Sequence, residues 1–145
     1  MKLNPENKCA DLMPKDLRQL GQDDSLRIIY NMQEQLQARL GQLKKYREAD
    51  MQGKTEFVKE NIIHIMVELS ELLERLPFKH WKQYSEAQKS DWIDDEQRTE
   101  TLFEFIDVLH FFMNIPIILG FSPEEIYHGY IAKNKENHRR QDNNY

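Results

Sequence analysis

The run from Leu102 to Leu119, L-F-E-F-I-D-V-L-H-F-F-M-N-I-P-I-I-L, constrains the fold more than any other part of the chain. Wound as a helix at about 100° per residue, it is apolar on nearly every side, and Glu104, Asp107, His110 and Asn114 fall in one wedge roughly 120° wide. A helix apolar over so much of its circumference belongs in an interior. Two carboxylates carried there are costly unless they are paired, hydrogen-bonded or bound to metal. The rest of the chain is therefore expected to bring a cationic counterpart to this wedge. A membrane-spanning reading fits poorly, because four polar groups, two of them acids, interrupt the run.

The other elements follow from punctuation and period. Residues 1 to 13 carry Pro5 and no periodicity and read as an arm, after which Pro14 starts a short helical turn that Gly21 ends. Asp23 or Asp24 then caps a long helix whose apolar stripe is Ile29, Met32, Leu36, Leu40 and Leu43. The segment Arg47 to Lys54 reads as a connection and Thr55 as the N-cap of a second helix, with the stripe Ile62, Ile65, Met66, Leu69, Leu72, Leu73 and Leu76. Pro77 stops it, and the loop Phe78-Lys79-His80-Trp81-Lys82 and a polar connection over 83 to 95 lead to Asp94 or Asp95, a cap for the central helix. Pro116 is a site for a kink before Gly120 ends that helix. Ser122-Pro-Glu-Glu125 is a capping box with proline at the first helical position, so a last helix runs from about Pro123 to Arg139. No stretch alternates with period two, so the fold class is all-α, a single domain over 1–145 with four main helices.

One cysteine, Cys9, excludes an internal disulfide, and nothing at the N-terminus reads as a secretory signal, so a cytoplasmic location is expected. With 25 acidic and 20 basic residues the net charge is -5, which argues against a nucleic-acid polymer as partner. The charges are segregated: acids gather at Glu68 to Glu74 and Asp91 to Glu96, while Lys133 to Arg140 is basic.

Glu68 and Glu71 are three residues apart, as are Glu104 and Asp107, so each pair occupies one helical face and two helices can bring four carboxylates together. Hard oxygen donors in such number suit Mg²⁺ or Mn²⁺, which complete their shells with water and substrate phosphate. A carboxylate-bridged di-iron bundle would need an acid-x-x-His pair on each of two helices, and only Asp107 and His110 offer one. Taken alone, His110 reads as a core histidine, Asn114 as a buried amide with a backbone partner and Phe111 as core. Glu74, on the opposite flank of its helix, reads as solvated. Lys133, Asn137 and Arg140 lie near one face of the last helix and present an ammonium, an amide and a guanidinium fork suited to phosphate. Together these features describe a site for a metal-bound polyphosphate.

The motifs V-E-L-S-E-L-L-E with F-K-H-W-K, E-F-I-D-V-L-H-F, and Y-I-A-K-N-K-E-N-H-R-R-Q-D-N-N-Y resemble, in this order, the dimeric all-α dUTP diphosphatases, within the MazG-like all-α nucleotide pyrophosphohydrolases. The resemblance covers roughly Leu36 to Tyr145. It implies a bundle of four to five helices completed by a homodimer, and hydrolysis of a deoxynucleoside triphosphate, dUTP, to dUMP and pyrophosphate. It also implies Mg²⁺, with Mn²⁺ as a substitute, on Glu68, Glu71, Glu104 and Asp107, with Glu68 preferred for orienting or deprotonating the attacking water. Lys79, Lys82, Lys133, Asn137, Arg140 and Tyr145 would meet the phosphates, Trp81 would pack on the base, His110 and Phe111 would meet the deoxyribose, and Gln37 would read the base edge. Such enzymes are common in bacteriophages, which would place the protein in a host cytoplasm. Two positions depart from the pattern. Gly41-Gln42 stands where the family often has Asn, and Asn144-Tyr145 replaces Gly-Tyr in the tail. The first leaves dCTP or another nucleotide as an alternative substrate, and a helical protein-interaction module is the non-enzymatic alternative.

Overall fold

The computed structural model describes residues 24–143, so the readings of residues 1 to 23, of Asn144 and of Tyr145 lie outside the described residues. Those residues form an all-α fold: α1 (Ser25–Arg39), α2 (Leu43–Glu48), α3 (Met51–Glu74), α4 (Glu86–Ser90), α5 (Asp95–Leu119) and α6 (Pro123–Asp142). They group into two compact units, one made of Ile62–Phe111 and the other of 24–61 with 112–143.

In the second unit, Asp24 caps α1 by accepting from the Arg27 backbone N–H at 3.0 Å. The expected single long helix is broken at Gly41, whose φ of +71° only glycine adopts without cost. There the Gly41 N–H bonds the Ala38 carbonyl at 3.0 Å and the Gln42 N–H bonds the Gln37 carbonyl at 2.9 Å, the pattern that closes a helix C-terminus. Of the expected apolar stripe only Leu43, now the first residue of α2, is buried. Met32 and Leu40 are 63% and 61% exposed, and the buried side chains are Tyr30, Gln33 and Gln37. Periodicity identified an apolar face, but this chain alone buries the neighbouring polar one.

The segment read as a connection before Thr55 is mostly helical instead. The connection shrinks to Ala49 and Asp50: Arg47 and Glu48 end α2, and Met51 to Lys54 form the first turn of α3, where the Asp50 carboxylate takes the Gly53 N–H at 2.8 Å as a cap would. The Thr55 hydroxyl bonds back to the Met51 carbonyl at 2.7 Å, inside the helix. Helix α5 continues through Pro116 and ends as expected at Gly120 (φ +79°), with the Phe121 N–H on the Pro116 carbonyl at 2.9 Å. The Ser122 capping box forms and starts α6. Tyr30 donates to the Phe121 carbonyl at 2.9 Å, tying α1 to the turn between α5 and α6.

The apolar core, made of Tyr30, Leu43, Tyr46, Met113, Ile117 and Ile118, lies wholly in the second unit. In the first unit the most buried described residues are Thr101 and Glu104, and the α3 stripe expected to be core is open, Met66 being 62% exposed. Helix α5 is therefore less enclosed than its composition predicts: Ile118 is 1% exposed but Phe112 is 55%. By length and composition α5 is the one helix among the described residues that could cross a membrane.

Candidate metal and nucleotide site

Within the first unit, Glu68 and Glu71 on α3 and Glu104 on α5 each bring one carboxylate oxygen to within 4.8 Å of the others. The three-residue spacing that put two acids on one face of α3 thus delivers them to a third on α5. Asp107 stands one turn beyond Glu104, outside this close trio but near enough to feel it. Burial and then the neighbouring charges of Glu71, Asp107 and Glu104 push the Glu68 carboxyl above its usual range. Burial and then Glu104 do the same for Asp107, opposed by nearby His110. Partly desolvated acids that repel one another fit a divalent ion: the donors are all hard oxygens, and a cation would relieve both causes of the upward shift.

The cationic counterpart of Glu104 is Arg75, which the sequence reading passed over in favour of the last helix. Its Nε and Nη2 donate to Glu104 Oε1 at 3.0 and 2.9 Å, and Nη1 donates to Glu100 Oε2 at 2.5 Å. The Arg75 carbonyl in turn accepts from Gln97 Nε2 at 3.3 Å. A signal for it existed, since Arg75 continues the Glu68 and Glu71 face by one further turn. A second omission is His64 on that same face, whose ring stacks on Phe111 at 4.8 Å with 23° between planes.

The loop after α3 forms a cleft of about 230 Å³ lined by Glu74, Arg75, Phe78, Lys79, Lys82 and Tyr84 among others. Glu74, read as solvated, pairs there with Lys79 Nζ at 2.6 Å, and that ammonium also lies 5.4 Å from the centre of the Phe78 ring. The Lys79 backbone N–H donates to the Tyr84 hydroxyl at 3.3 Å, which folds the loop back on itself. Lys82 is exposed, and Trp81, edge-on to His80 and Phe78, presents most of its indole to solvent. His110 is exposed and Phe111 half-buried.

The remaining residues belong to the second unit. Lys133, Asn137 and Arg140 are exposed on α6. Arg140 Nε reaches Glu136 at 3.1 Å and Arg139 holds the same carboxylate with two bonds of 2.8 Å, so the basic helix end is partly neutralised from within. Asn137 and Arg140 also line a surface depression with His138 and Gln141. Gln37 is buried and accepts from the Tyr46 hydroxyl at 3.4 Å. Asn114, expected to have a backbone partner, is held by side chains: it accepts from Gln33 Nε2 at 2.7 Å and donates to Asn61 Oδ1 at 2.9 Å. Asn61 Nδ2 completes the series on the Phe57 carbonyl at 2.8 Å, so the backbone partner exists one residue removed. Burial pushes the Tyr46 hydroxyl pKa up, and a hydrogen bond from Asn61 opposes it.

The chain matches the dUTPase family over residues 25–119 and 112–145. It is 34% identical over 142 residues to a dCTP pyrophosphatase of Enterobacteria phage T4, covering 84% of this chain and 83% of that one. It is 49% identical over 71 residues to a dCTP pyrophosphatase of Enterobacteria phage LZ5, covering 47% and 41% of the two chains. A DNA replication protein of phage T4 is 32% identical over 132 residues, 77% of this chain and 34% of that protein. No solved structure matches. The family match spans nearly all the described residues, so the chain belongs to the all-α dUTPase family.

Proposed function

We propose that the protein is a nucleoside triphosphate pyrophosphohydrolase that cleaves dUTP to dUMP and pyrophosphate. The observation that carries this reading is the trio of converging carboxylates, Glu68, Glu71 and Glu104, within 4.8 Å of one another. With Asp107 they would hold Mg²⁺, or Mn²⁺ in its place. A bound ion supplies charge neutralisation of the triphosphate and Lewis-acid assistance to the displacement. Glu68 would orient the attacking water and take its proton. The water oxygen bonds to the α-phosphorus as the bond from that phosphorus to the bridging oxygen breaks, and pyrophosphate leaves.

Lys79, Lys82, Lys133, Asn137, Arg140 and Tyr145 would supply the positive and polar contacts to the phosphates. Trp81 offers an exposed indole for the base, His110 and Phe111 the contacts to the deoxyribose, and Gln37 the amide that reads the base. Stacked on His64, Phe111 has little freedom to make room for a 2′-hydroxyl. The protein is read as working in the cytoplasm, that of a host if phage-encoded, without membrane or nucleic-acid polymer.

A second copy of the chain is part of this reading. The unit that carries the acids buries no apolar side chain fully among its described residues, while Met66, Leu69, Leu73 and Phe105 are exposed. An open apolar surface of this extent asks for a cover, and a homodimer supplies one.

dCTP is the second reading of the substrate, favoured by the activity named for two phage relatives. The test is pyrophosphate release from a panel of deoxy- and ribonucleoside triphosphates with Mg²⁺. Release from dUTP that is lost in Glu104→Ala and Asp107→Ala supports the proposal. Preference for dCTP moves the base assignment to the second reading, and full activity in either variant removes the site.

A further inference from the structure

Mg²⁺ and Ca²⁺ carry the same charge and take the same oxygen donors, so a group of acids does not by itself tell them apart. They differ in what they ask of one carboxylate. Ca²⁺ is large, and its loose shell accepts both oxygens of a single side chain. Mg²⁺ demands a small octahedron, in which the two oxygens of one carboxylate lie too close together to fill two corners. A carboxylate with one oxygen already committed therefore suits Mg²⁺ and serves Ca²⁺ poorly, and Glu104 is such a carboxylate. We propose that Arg75 is the positioning residue that sets the choice of metal at this site, because it occupies Oε1 of Glu104 and leaves only Oε2 for the ion. The inference rests on the reading that Glu68, Glu71 and Glu104 hold a divalent cation.

A carboxylate oxygen offers two lone pairs to donors, and at Oε1 of Glu104 both are taken. Arg75 Nε and Nη2 donate to it at 3.0 and 2.9 Å. The guanidinium is held from its other edge as well, since Nη1 donates to Glu100 Oε2 at 2.5 Å. Its backbone is tied to the same helix, where Gln97 Nε2 donates to the Arg75 carbonyl at 3.3 Å. Among the described residues every hydrogen bond to Glu104 falls on Oε1, so a side chain only 10% exposed keeps its second oxygen without a partner. Glu104 belongs to the trio whose carboxylates each bring an oxygen to within 4.8 Å of the others, which is where a cation would use it. Lysine could not replace Arg75 in this role, because an ammonium is a point charge on a flexible stem and has no planar fork to fix two parallel bonds on one oxygen.

The test is metal binding by the full chain without nucleotide. Bound Mn²⁺ is counted from the electron paramagnetic resonance of the free ion, and its displacement by Mg²⁺ and by Ca²⁺ gives the two dissociation constants. The competitors have equal charge, so their ratio cancels the general effect of losing a positive group, and a loss of stability that leaves Oε1 covered does not move it. Arg75→Ala should shift the ratio toward Ca²⁺ by about tenfold, the scale of removing a group that orients a metal ligand. Arg75→Lys keeps the charge without the fork and should shift it the same way. Should Arg75→Ala fail to fold, Arg75→Lys decides alone. Ratios within about twofold of the wild type, or a shift toward Mg²⁺, overturn the inference. So does a shift in Arg75→Ala that is absent from Arg75→Lys, because charge would then suffice. Glu104→Ala separates the failures. If it loses Mn²⁺ while the Arg75 variants keep the wild-type ratio, the metal site stands and Arg75 does not set its choice of ion. If the wild type binds no Mn²⁺, or Glu104→Ala binds it as well as the wild type, it is the reading of the metal site that has failed, and the inference falls with it.

Discussion

Arg75 is the residue whose removal should be felt most in the first unit. Its guanidinium makes three charge-assisted hydrogen bonds, two to Glu104 Oε1 and one to Glu100, and the Glu104 side chain is only 10% exposed. Arg75→Ala leaves that carboxylate without its guanidinium, largely desolvated and next to Glu68 and Glu71. Breaking a fully buried pair by deleting one partner costs about 3–5 kcal/mol. Arg75 is 31% exposed, so water recovers part of the loss and about 2–4 kcal/mol is expected. For a chain of this length that corresponds to a fall in Tm of roughly 5–15 °C. The cost should depend on the Glu104 charge. Adding Glu104→Gln to the Arg75→Ala variant should recover stability, whereas Glu104→Gln alone should weaken the protein by stranding the guanidinium. The assay is urea unfolding of the four proteins with a chelator at one protomer concentration, so that association does not enter the differences. A coupling of at least about 1 kcal/mol is expected. Additivity within about 0.5 kcal/mol would refute the idea that Arg75 compensates Glu104.

Three further outcomes follow. Because burial and acidic neighbours raise the folded-state pKa of Glu68 and Asp107, their protonated forms stabilise the metal-free fold below the ordinary carboxyl values of 4.5 and 3.8, and that stability is lost as pH rises through the raised values. Melts with chelator should therefore lose more stability over this window in the wild type than in Glu68→Gln, and Mg²⁺ should restore the loss near neutral pH; identical pH slopes in the two proteins would count against the coupling. Gly41→Ala forces a side chain into φ +71° and should cost about 1–2 kcal/mol even though nothing lies within 4 Å of the added carbon, which a denaturant titration would register. Light scattering under assay conditions should give about twice the 17.5 kDa chain mass, and a monomer that retains full turnover would remove the second copy from the reading.

The elements that were legible in advance are those where chemistry is local. Asp24, Ser122 and Gly120 announced their helix ends because capping and positive φ are decided within a few residues. The α1 stripe misled because hydrophobic period reports which face is apolar and not what covers it. Ile29, Met32 and Leu36 stand exposed in one chain, while Gln33 and Gln37 are buried with hydrogen-bond partners on α5 and α2 that no local pattern reveals. The carboxylate pairs were readable at once, since a spacing of three fixes a face, but their extent was not. On α3, continued by Arg75 just past its end, one face carries His64, Glu68 and Glu71, and on α5 it carries Glu100, Glu104, Asp107 and Phe111, stepping by three and four. In the first unit these meet in antiparallel order, His64 with Phe111, Glu71 with Glu104, Arg75 with Glu100. A register so regular means that one residue inserted within either run would turn the residues beyond it about 100° out of line, separating carboxylate from carboxylate and Arg75 from Glu104 in the same stroke. The acids, their guanidinium and the stacked His64 are thus set together by a single helical phase, which is why a cation sought in the last helix was found one turn along from the acids themselves.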